Sequence, residues 1–244
     1  MPRILTYNVH RCVGVDGRLD VARVAGVIAA LEPDIVALQE LDVGRARTGG
    51  VDQAHEIARR LDMACHFNAA VRVEEEQYGD AILTSYPERL VKAGPLPGLN
   101  PALRLEPRGA LWVAVEIDGV EVQVIATHLG LAPKEQQVQA AALAGSAWLR
   151  RHDCQSPVIL TGDFNATGAS VVYRTLTARL RDTRRLSSIR RATSTFPSRL
   201  PFLRIDHFFV SDGVKVLDLD APYSPATRVA SDHLPLVMDF ELDA

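Results

Sequence analysis

The sequence predicts an α/β protein of two mixed β-sheets packed face to face, with helices outside. Three observations predict it. Strand-like segments outnumber helical ones along the 244 residues. Strand–helix–strand units, which make parallel pairs, alternate with hairpins, which make antiparallel ones. Asp34–Glu40 is apolar throughout its middle, so both faces of that strand are covered. No internal repeat, low-complexity stretch or linker interrupts the chain, and residues 1–244 read as one domain.

The elements follow in order. Arg3–Val9 reads as the first strand and ends in Asn8-Val9-His10. A turn at Asp16-Gly17 leads to Asp20, which caps a helix with apolar residues at 21, 24, 25, 28 and 31. Pro33 stops it. The strand Asp34–Glu40 ends in a carboxylate, and Asp52–Asp62 is a second amphipathic helix. Cys65–Val71 is a short strand, Glu74–Glu76 a charged loop and Tyr78–Ser85 a strand, with a return at Leu90–Lys92. Pro95–Pro107, rich in proline, is an irregular loop. Asp118-Gly119 between Gly109–Ile117 and Val120–Leu129 is the strongest hairpin signal in the chain. Lys134–Arg151 is the longest helix, opened by Pro133. The strand over Val158–Leu160 runs into Gly162-Asp163-Phe164-Asn165, and a helix follows over Ser170–Leu180. Leu203–Val210 is a strand carrying Asp206, Lys215–Leu219 an edge strand, and Leu234–Leu242 the closing strand.

Composition excludes several classes. Formal net charge is −3, against a protein that coats duplex DNA through many basic contacts. The charge is uneven: Arg179–Arg204 holds eight arginines and one acid, or +7, leaving −10 elsewhere. Cys12, Cys65 and Cys154 are scattered and odd in number, neither a disulfide framework nor a zinc knuckle. They fit a reducing compartment, and with no signal-peptide pattern or membrane span the chain reads as cytoplasmic.

Chemistry gathers where strands end. Asp163 and Asn165, at i and i+2 in an extended segment, point the same way. One can take a proton while the other orients the attacking water. Asn8, His10, Glu40, His128, Asp206, Asp232 and His233 sit at other strand ends. Each singly has an ordinary reading as a cap, turn or half-buried histidine. Together they form an oxygen-rich set that suits Mg²⁺ or Mn²⁺ rather than zinc. Asp206, in an apolar strand, needs a partner, and pairing with His233 satisfies both.

Tyr-Asn-Val at 7–9, Leu-Gln-Glu at 38–40, Gly-Asp-Ala-Ile-Leu-Thr at 79–84, Thr-His-Leu at 127–129, Gly-Asp-Phe-Asn at 162–165, Ile-Asp-His at 205–207 and Ser-Asp-His at 231–233 resemble the endonuclease/exonuclease/phosphatase superfamily, and its compact bacterial hydrolases in particular. The resemblance implies a four-layer α/β sandwich. It implies metal binding by Glu40, with Asn8 and Asp232 beside the metal. It implies Asp163 as the residue that activates water, Asn165 as the amide that orients it, and His128 and His233 at the phosphate, with Asp206 orienting His233. Two positions depart from the pattern. His10, assigned to the metal site, stands where some relatives carry a carboxylate, and Asp80 where many carry asparagine.

The expected activity is divalent-metal-dependent hydrolysis of a phosphodiester or phosphomonoester. Arginines such as Arg184, Arg185 and Arg199 suit further phosphates, whether of a phosphoinositide, a phospholipid head group or a nucleic acid backbone, and nearby apolar surface tilts the reading toward a lipid head group or a small ester. Asp80 is also placed at the substrate, and Thr195-Phe196-Pro197 and Pro201-Phe202-Leu203 add apolar surface. A nuclease acting on DNA or RNA is the alternative within the class, and a catalytically silent binding module the alternative outside it. Nucleic acid, or transient contact with membrane lipid, is the partner these readings entail; no obligate protein partner is evident.

Overall fold

The computed structural model describes residues 1–187 and 193–243. The strands are β1 (Arg3–Asn8), β2 (Ile35–Val43), β3 (Ala64–Val73), β4 (Glu76–Thr84), β5 (Glu88–Pro95), β6 (Gly109–Ile117), β7 (Val120–His128), β8 (Val158–Asp163), β9 (Arg181–Asp182), β10 (Asp206–Val210), β11 (Val214–Asp220) and β12 (Leu236–Leu242). The helices are α1 (Val21–Ala29), α2 (Gln53–Leu61), α3 (Pro133–Leu143), α4 (Val171–Thr177), α5 (Thr183–Leu186) and α6 (Thr227–Ala230). One sheet has the order β11-β12-β1-β2-β4-β3, the other β5-β6-β7-β8-β10-β9. Each holds one parallel pair near its centre, β1/β2 and β7/β8, among antiparallel neighbours. The expected four-layer α/β sandwich of two mixed sheets is present.

Alternation along the strands builds the layers. Ile4, Ile35, Ile82, Val113, Val124, Ile159, Phe208 and Phe240 meet between the sheets. Leu5, Tyr7, Val36 and Leu38 face outward onto α1 and α2, with Val24, Ile28, Ala54 and Ile57 against them. Trp112, Ile125, Leu160 and Phe209 face the other way, onto α3 and α4. Asp20, Asp52 and Ser170 cap α1, α2 and α4, each accepting from the backbone N–H three residues on. The β6–β7 turn has Asp118 at φ 50° and Gly119 at φ 81°, as a type I′ hairpin requires.

Several expected boundaries move. The helix expected over Lys134–Arg151 ends at Leu143. Beyond it Gly145, a poor helix residue, bonds back to Ala142, and the chain turns to bury Trp148 at 2% exposure. Helix α4 ends at Thr177 rather than Leu180. Strand β5 extends to Glu88–Pro95, and Glu76 opens β4 instead of sitting in a loop. Strand β10 starts at Asp206, because Leu203 is taken by an isolated bridge to Phe196. Strand β2 does not stop at Glu40: it bulges there and runs on to Val43. No helix among the described residues is long and apolar enough to cross a membrane.

Candidate active site

The site is the end of the inter-sheet core. Along β1 the inward row runs Ile4, Thr6, Asn8; along β7 it runs Val124, Ala126, His128; along β8 it runs Ile159, Thr161, Asp163. Antiparallel β10 contributes Val210, Phe208 and Asp206. The period of two thus carries each row from apolar to polar at one end of the sandwich. In register, His128 pairs with Asp163 and Asp163 with Asp206, so three titratable groups lie in one cross-strand row.

Glu40 reaches the same end by breaking the alternation. Leu38 and Leu41 both face outward, and the pairing with β4 shifts between them. Glu40 has φ +61°, and two residues of β2 stand opposite Asp80. Without this bulge Glu40 would follow Leu38 into the helix layer.

A pocket of about 360 Å³ opens here, lined by Glu40, Arg108, His128, Leu131, Asp163, Asn165, Phe196, Leu203, Ile205, Asp232 and His233. The Asn8 amide crosses from one sheet to the other, donating to Glu40 Oε1 at 2.9 Å and Asp163 Oδ2 at 3.0 Å. Asp163 Oδ1 accepts from the backbone of Asn165 at 2.8 Å. His233 Nδ1 donates to Asp206 Oδ2 at 2.9 Å, and its Nε2 lies 3.7 Å from Asp163 Oδ2. Ser231 Oγ donates to Asn8 O at 2.7 Å, anchoring the Asp232-His233 loop to β1.

Electrostatics separate the two histidines. Burial disfavours charge on His233, but the carboxylates of Asp206, Asp163 and Asp232 outweigh it and push its pKa up to about 10. His128 goes the other way: burial first, then the charges of Arg108 and His233, hold it well below the ordinary histidine value. Arg108 Nη1 donates to His128 Nδ1 at 2.9 Å. A guanidinium does not give up its proton, so a neutral imidazole accepting from it carries hydrogen on Nε2, which lies 3.2 Å from Asn165 Nδ2 and 3.5 Å from Asp163 Oδ2. His128, expected at the phosphate, is therefore neutral, and the positive charge beside it belongs to Arg108. Burial, reinforced by the nearby charge of Asp206, pushes Asp163 up to about 7, against the pull of His233 and its hydrogen bonds.

The pocket assembles Asn8, Glu40, His128, Asp163, Asn165, Asp206, Asp232 and His233 from the residues picked out in the sequence. It does not assemble the rest. His10, expected at the metal, has its ring turned aside, with Nδ1 on Val13 O at 3.1 Å and Nε2 accepting from Arg11 at 2.7 Å. Asp80, expected at the substrate, is 3% exposed behind Glu40, whose backbone N–H it accepts. Burial pushes its pKa up to about 8. Arg184 and Arg185 line a separate cavity with Tyr173, Asp182 and Arg204. Asp182 draws the segment there, taking two bonds from Arg204, at 3.0 and 2.8 Å, and one from Tyr173 Oη at 2.7 Å. Tyr173 belongs to the outer helix layer, not the inter-sheet end. Arg199 donates to Val15 O at 3.1 Å. Arg190 and Arg191 lie outside the described residues.

Sequence reasoning missed Arg108, Ser231, Thr195 and Leu131. Arg108 carried one signal: it immediately precedes β6, whose hairpin partner ends in His128. The Thr195 hydroxyl donates to Asp206 Oδ2, and nothing local announces it. Phe196 and Leu203 do supply the apolar surface expected from their segments.

The donor set suits a hard cation. Glu40, Asp163 and Asp232 offer carboxylate oxygens, and no thiol among the described residues lines the pocket. Asp163, Asp206 and His233 also place ligand atoms within 4.8 Å of one another. Since Asp206 and His233 are spent on each other, that trio is better suited to holding a proton than to caging an ion.

Comparison with known proteins agrees with this arrangement. The protein YbhP of Escherichia coli, itself uncharacterized, is 26% identical over 253 residues, covering 98% of this chain and 96% of its own. An endonuclease/exonuclease/phosphatase protein from Beutenbergia cavernae superposes with TM-score 0.76 at 24% identity, over 100% of this chain and 72% of that one. The mannosyl-6-phosphatase of Bacteroides thetaiotaomicron superposes with TM-score 0.79 at 18% identity, over 99% and 100%. Those two superpositions concern the fold. The endonuclease/exonuclease/phosphatase family model matches residues 5–233. A match that runs from β1 to His233, and so takes in every residue of the pocket, makes this chain a member of the endonuclease/exonuclease/phosphatase family, whose members are hydrolases of phosphate esters.

Proposed function

We propose that the protein is a divalent-metal-dependent phosphoesterase that hydrolyses a small or lipid-borne phosphate ester by attack of water. The observation that carries this reading is the hydrogen-bonded path from Glu40 through Asn8 to Asp163, meeting Asp206–His233 in one pocket. Glu40, Asn8 and Asp232 would hold Mg²⁺ or Mn²⁺, which neutralises charge on the phosphoryl oxygens. Asp163 takes the proton of the attacking water. Its pKa near 7 suits a general base at neutral pH. Asn165 and the Nε2–H of His128 orient that water. His233⁺, held by Asp206, and Arg108 face the developing negative charge.

A phosphomonoester or phosphodiester fits equally, and the name of the Bacteroides thetaiotaomicron relative points to small phosphorylated molecules within this fold. A nuclease is disfavoured: Arg184, Arg185 and Arg199 do not line the pocket, where Arg108 is the one lining arginine among the described residues. A silent binding module has no use for a buried carboxylate held near neutrality beside a charged histidine. The test is hydrolysis of bis-p-nitrophenyl phosphate, phosphoinositides and plasmid DNA with Mg²⁺, Mn²⁺ or EDTA. Metal-dependent turnover on the first two is expected. Plasmid nicking alone would transfer the reading to the nuclease, and no turnover on any substrate would favour the binding module.

A further inference from the structure

The pocket has a mixed lining. Glu40, Arg108, His128, Asp163, Asn165, Asp232 and His233 are polar, and Leu131, Phe196, Leu203 and Ile205 are apolar. Leu131 is 74% exposed, although it lines the pocket. Scattered exposed leucines are ordinary, but four apolar side chains lining one cavity with the candidate catalytic groups are not scatter.

The apolar lining is built, not loose. Gln136 Nε2 donates to Gly130 O and to Asn165 O, both at 2.9 Å, fixing the backbone beside Leu131. Phe196 and Leu203 exchange backbone bonds at 3.1 and 2.9 Å, and Leu234 N reaches Thr195 O at 2.8 Å. The Phe196 ring packs on His233 with centroids 4.9 Å apart. These four side chains carry no hydrogen-bonding atom that could address a sugar hydroxyl.

We infer that Leu131, Phe196, Leu203 and Ile205 form the binding surface for the alcohol part of the ester, and that this alcohol is apolar next to the phosphate. The inference rests on the phosphoesterase reading and narrows it. With the phosphoryl group on the polar groups, the organic part next to it lies against the apolar side chains that share the pocket. An alkyl or acylglycerol alcohol would cover Leu131; a sugar would leave its hydroxyls unmet.

The test is a homologous series. Binding of non-hydrolysable methyl, butyl and hexyl phosphonates is measured by calorimetry with Mg²⁺, and hydrolysis of the matching alkyl phosphates by phosphate release. Affinity and kcat/KM are expected to rise with chain length, by up to about fourfold per fully buried methylene. In Leu131→Asn the rise should shrink at least severalfold. In Leu200→Asn, a residue 73% exposed and not lining the pocket, it should persist. A flat series in the wild type, or an unchanged rise in Leu131→Asn, overturns the inference. Chain-length-dependent binding without cleavage of these esters, of bis-p-nitrophenyl phosphate or of phosphoinositides keeps the apolar binding surface and removes the phosphoesterase reading, and with it the assignment of the bound group as an ester's alcohol. Cleavage with no chain-length dependence does the reverse. Phosphatidylcholine vesicles doped with phosphatidic acid locate the source of the alcohol: cleavage there faster than of the free hexyl ester assigns a bilayer lipid, and slower cleavage a soluble ester.

Discussion

Asp206→Asn keeps the shape of the side chain and removes one negative charge from the row that holds His233 and Asp163. Asp206 is the largest of the influences that overcome burial and carry His233 to about 10, and the largest like charge pushing Asp163 up to about 7. A neighbouring charge of this kind is worth roughly 1–3 pKa units. Taking roughly 2 units, His233 falls to near 8 and Asp163 drops below its present value. Each unit is a factor of ten in the protonated fraction, so at pH 9 about one molecule in ten keeps His233 charged. The kcat/KM profile of the variant should therefore move as a whole toward acid, both limbs in the same direction. At pH 9 it should lose roughly tenfold more than at pH 7. The assay is a pH–rate profile with Mg²⁺, with circular dichroism and thermal melting to establish folding. A variant that folds and keeps both limbs in place while losing only height would show that Asp206 merely braces the loop, and the electrostatic account of the row would fail.

Other outcomes follow from the same geometry. Asp163→Asn should fold normally and lose at least about 100-fold in kcat, since the proton acceptor is gone. Equal turnover would remove Asp163 from the reaction. Arg108→Gln should cost roughly 10- to 100-fold in kcat/KM, the worth of a hydrogen bond to a charged group, and a small effect would mean that Arg108 serves only His128. Asp182→Ala should lower the unfolding free energy by about 2 kcal/mol in urea titrations, because it strands the Arg204 guanidinium, 18% exposed, and the Tyr173 hydroxyl. An unchanged midpoint would make that pair ornamental. Burial, helped by the charge of Arg204, holds His207 at about 4 in the folded protein, against 6.5 for an ordinary histidine. The unfolded chain therefore takes up the proton first. This contribution is intact above pH 6.5 and is lost progressively down to about 4, costing up to about 3 kcal/mol. His207→Gln should flatten the fall in stability over that window, and an equally steep fall would move its origin elsewhere.

What could be read from the chain was what is local. Alternation, the Asp118-Gly119 turn and the cap at Asp20 each involve residues a few positions apart, and they yielded the layers and most elements. The strand-end residues were legible because each interrupts an apolar run. What escaped depends on register between distant segments. The Glu40 bulge is set by how β2 lies against β4 around Asp80. His10 resembled a ligand because i and i+2 share a face in a strand, yet β1 ends at Asn8 and the next residues wind into a short 3₁₀ turn. The arginines from 179 to 204 looked tethered to the site by their neighbours in sequence. Asp182, buried against Tyr173 and Arg204, instead keeps Arg184 and Arg185 on the outer layer.

The Asn8–Asp163 bond spans 155 positions of sequence and joins one sheet to the other. Its donor ends β1 and its acceptor ends β8, so the two are made far apart in time. Asp232 and His233 come later still, just before β12 closes beside β1. The site therefore has no partial form during synthesis. An emerging chain carries Glu40 long before anything stands opposite it, and a chain clipped ahead of Ser231 lacks the hydroxyl that ties the last loop to Asn8. The candidate site is complete only when the Ser231–His233 loop and β12 have joined β1, so a fragment released before them lacks it.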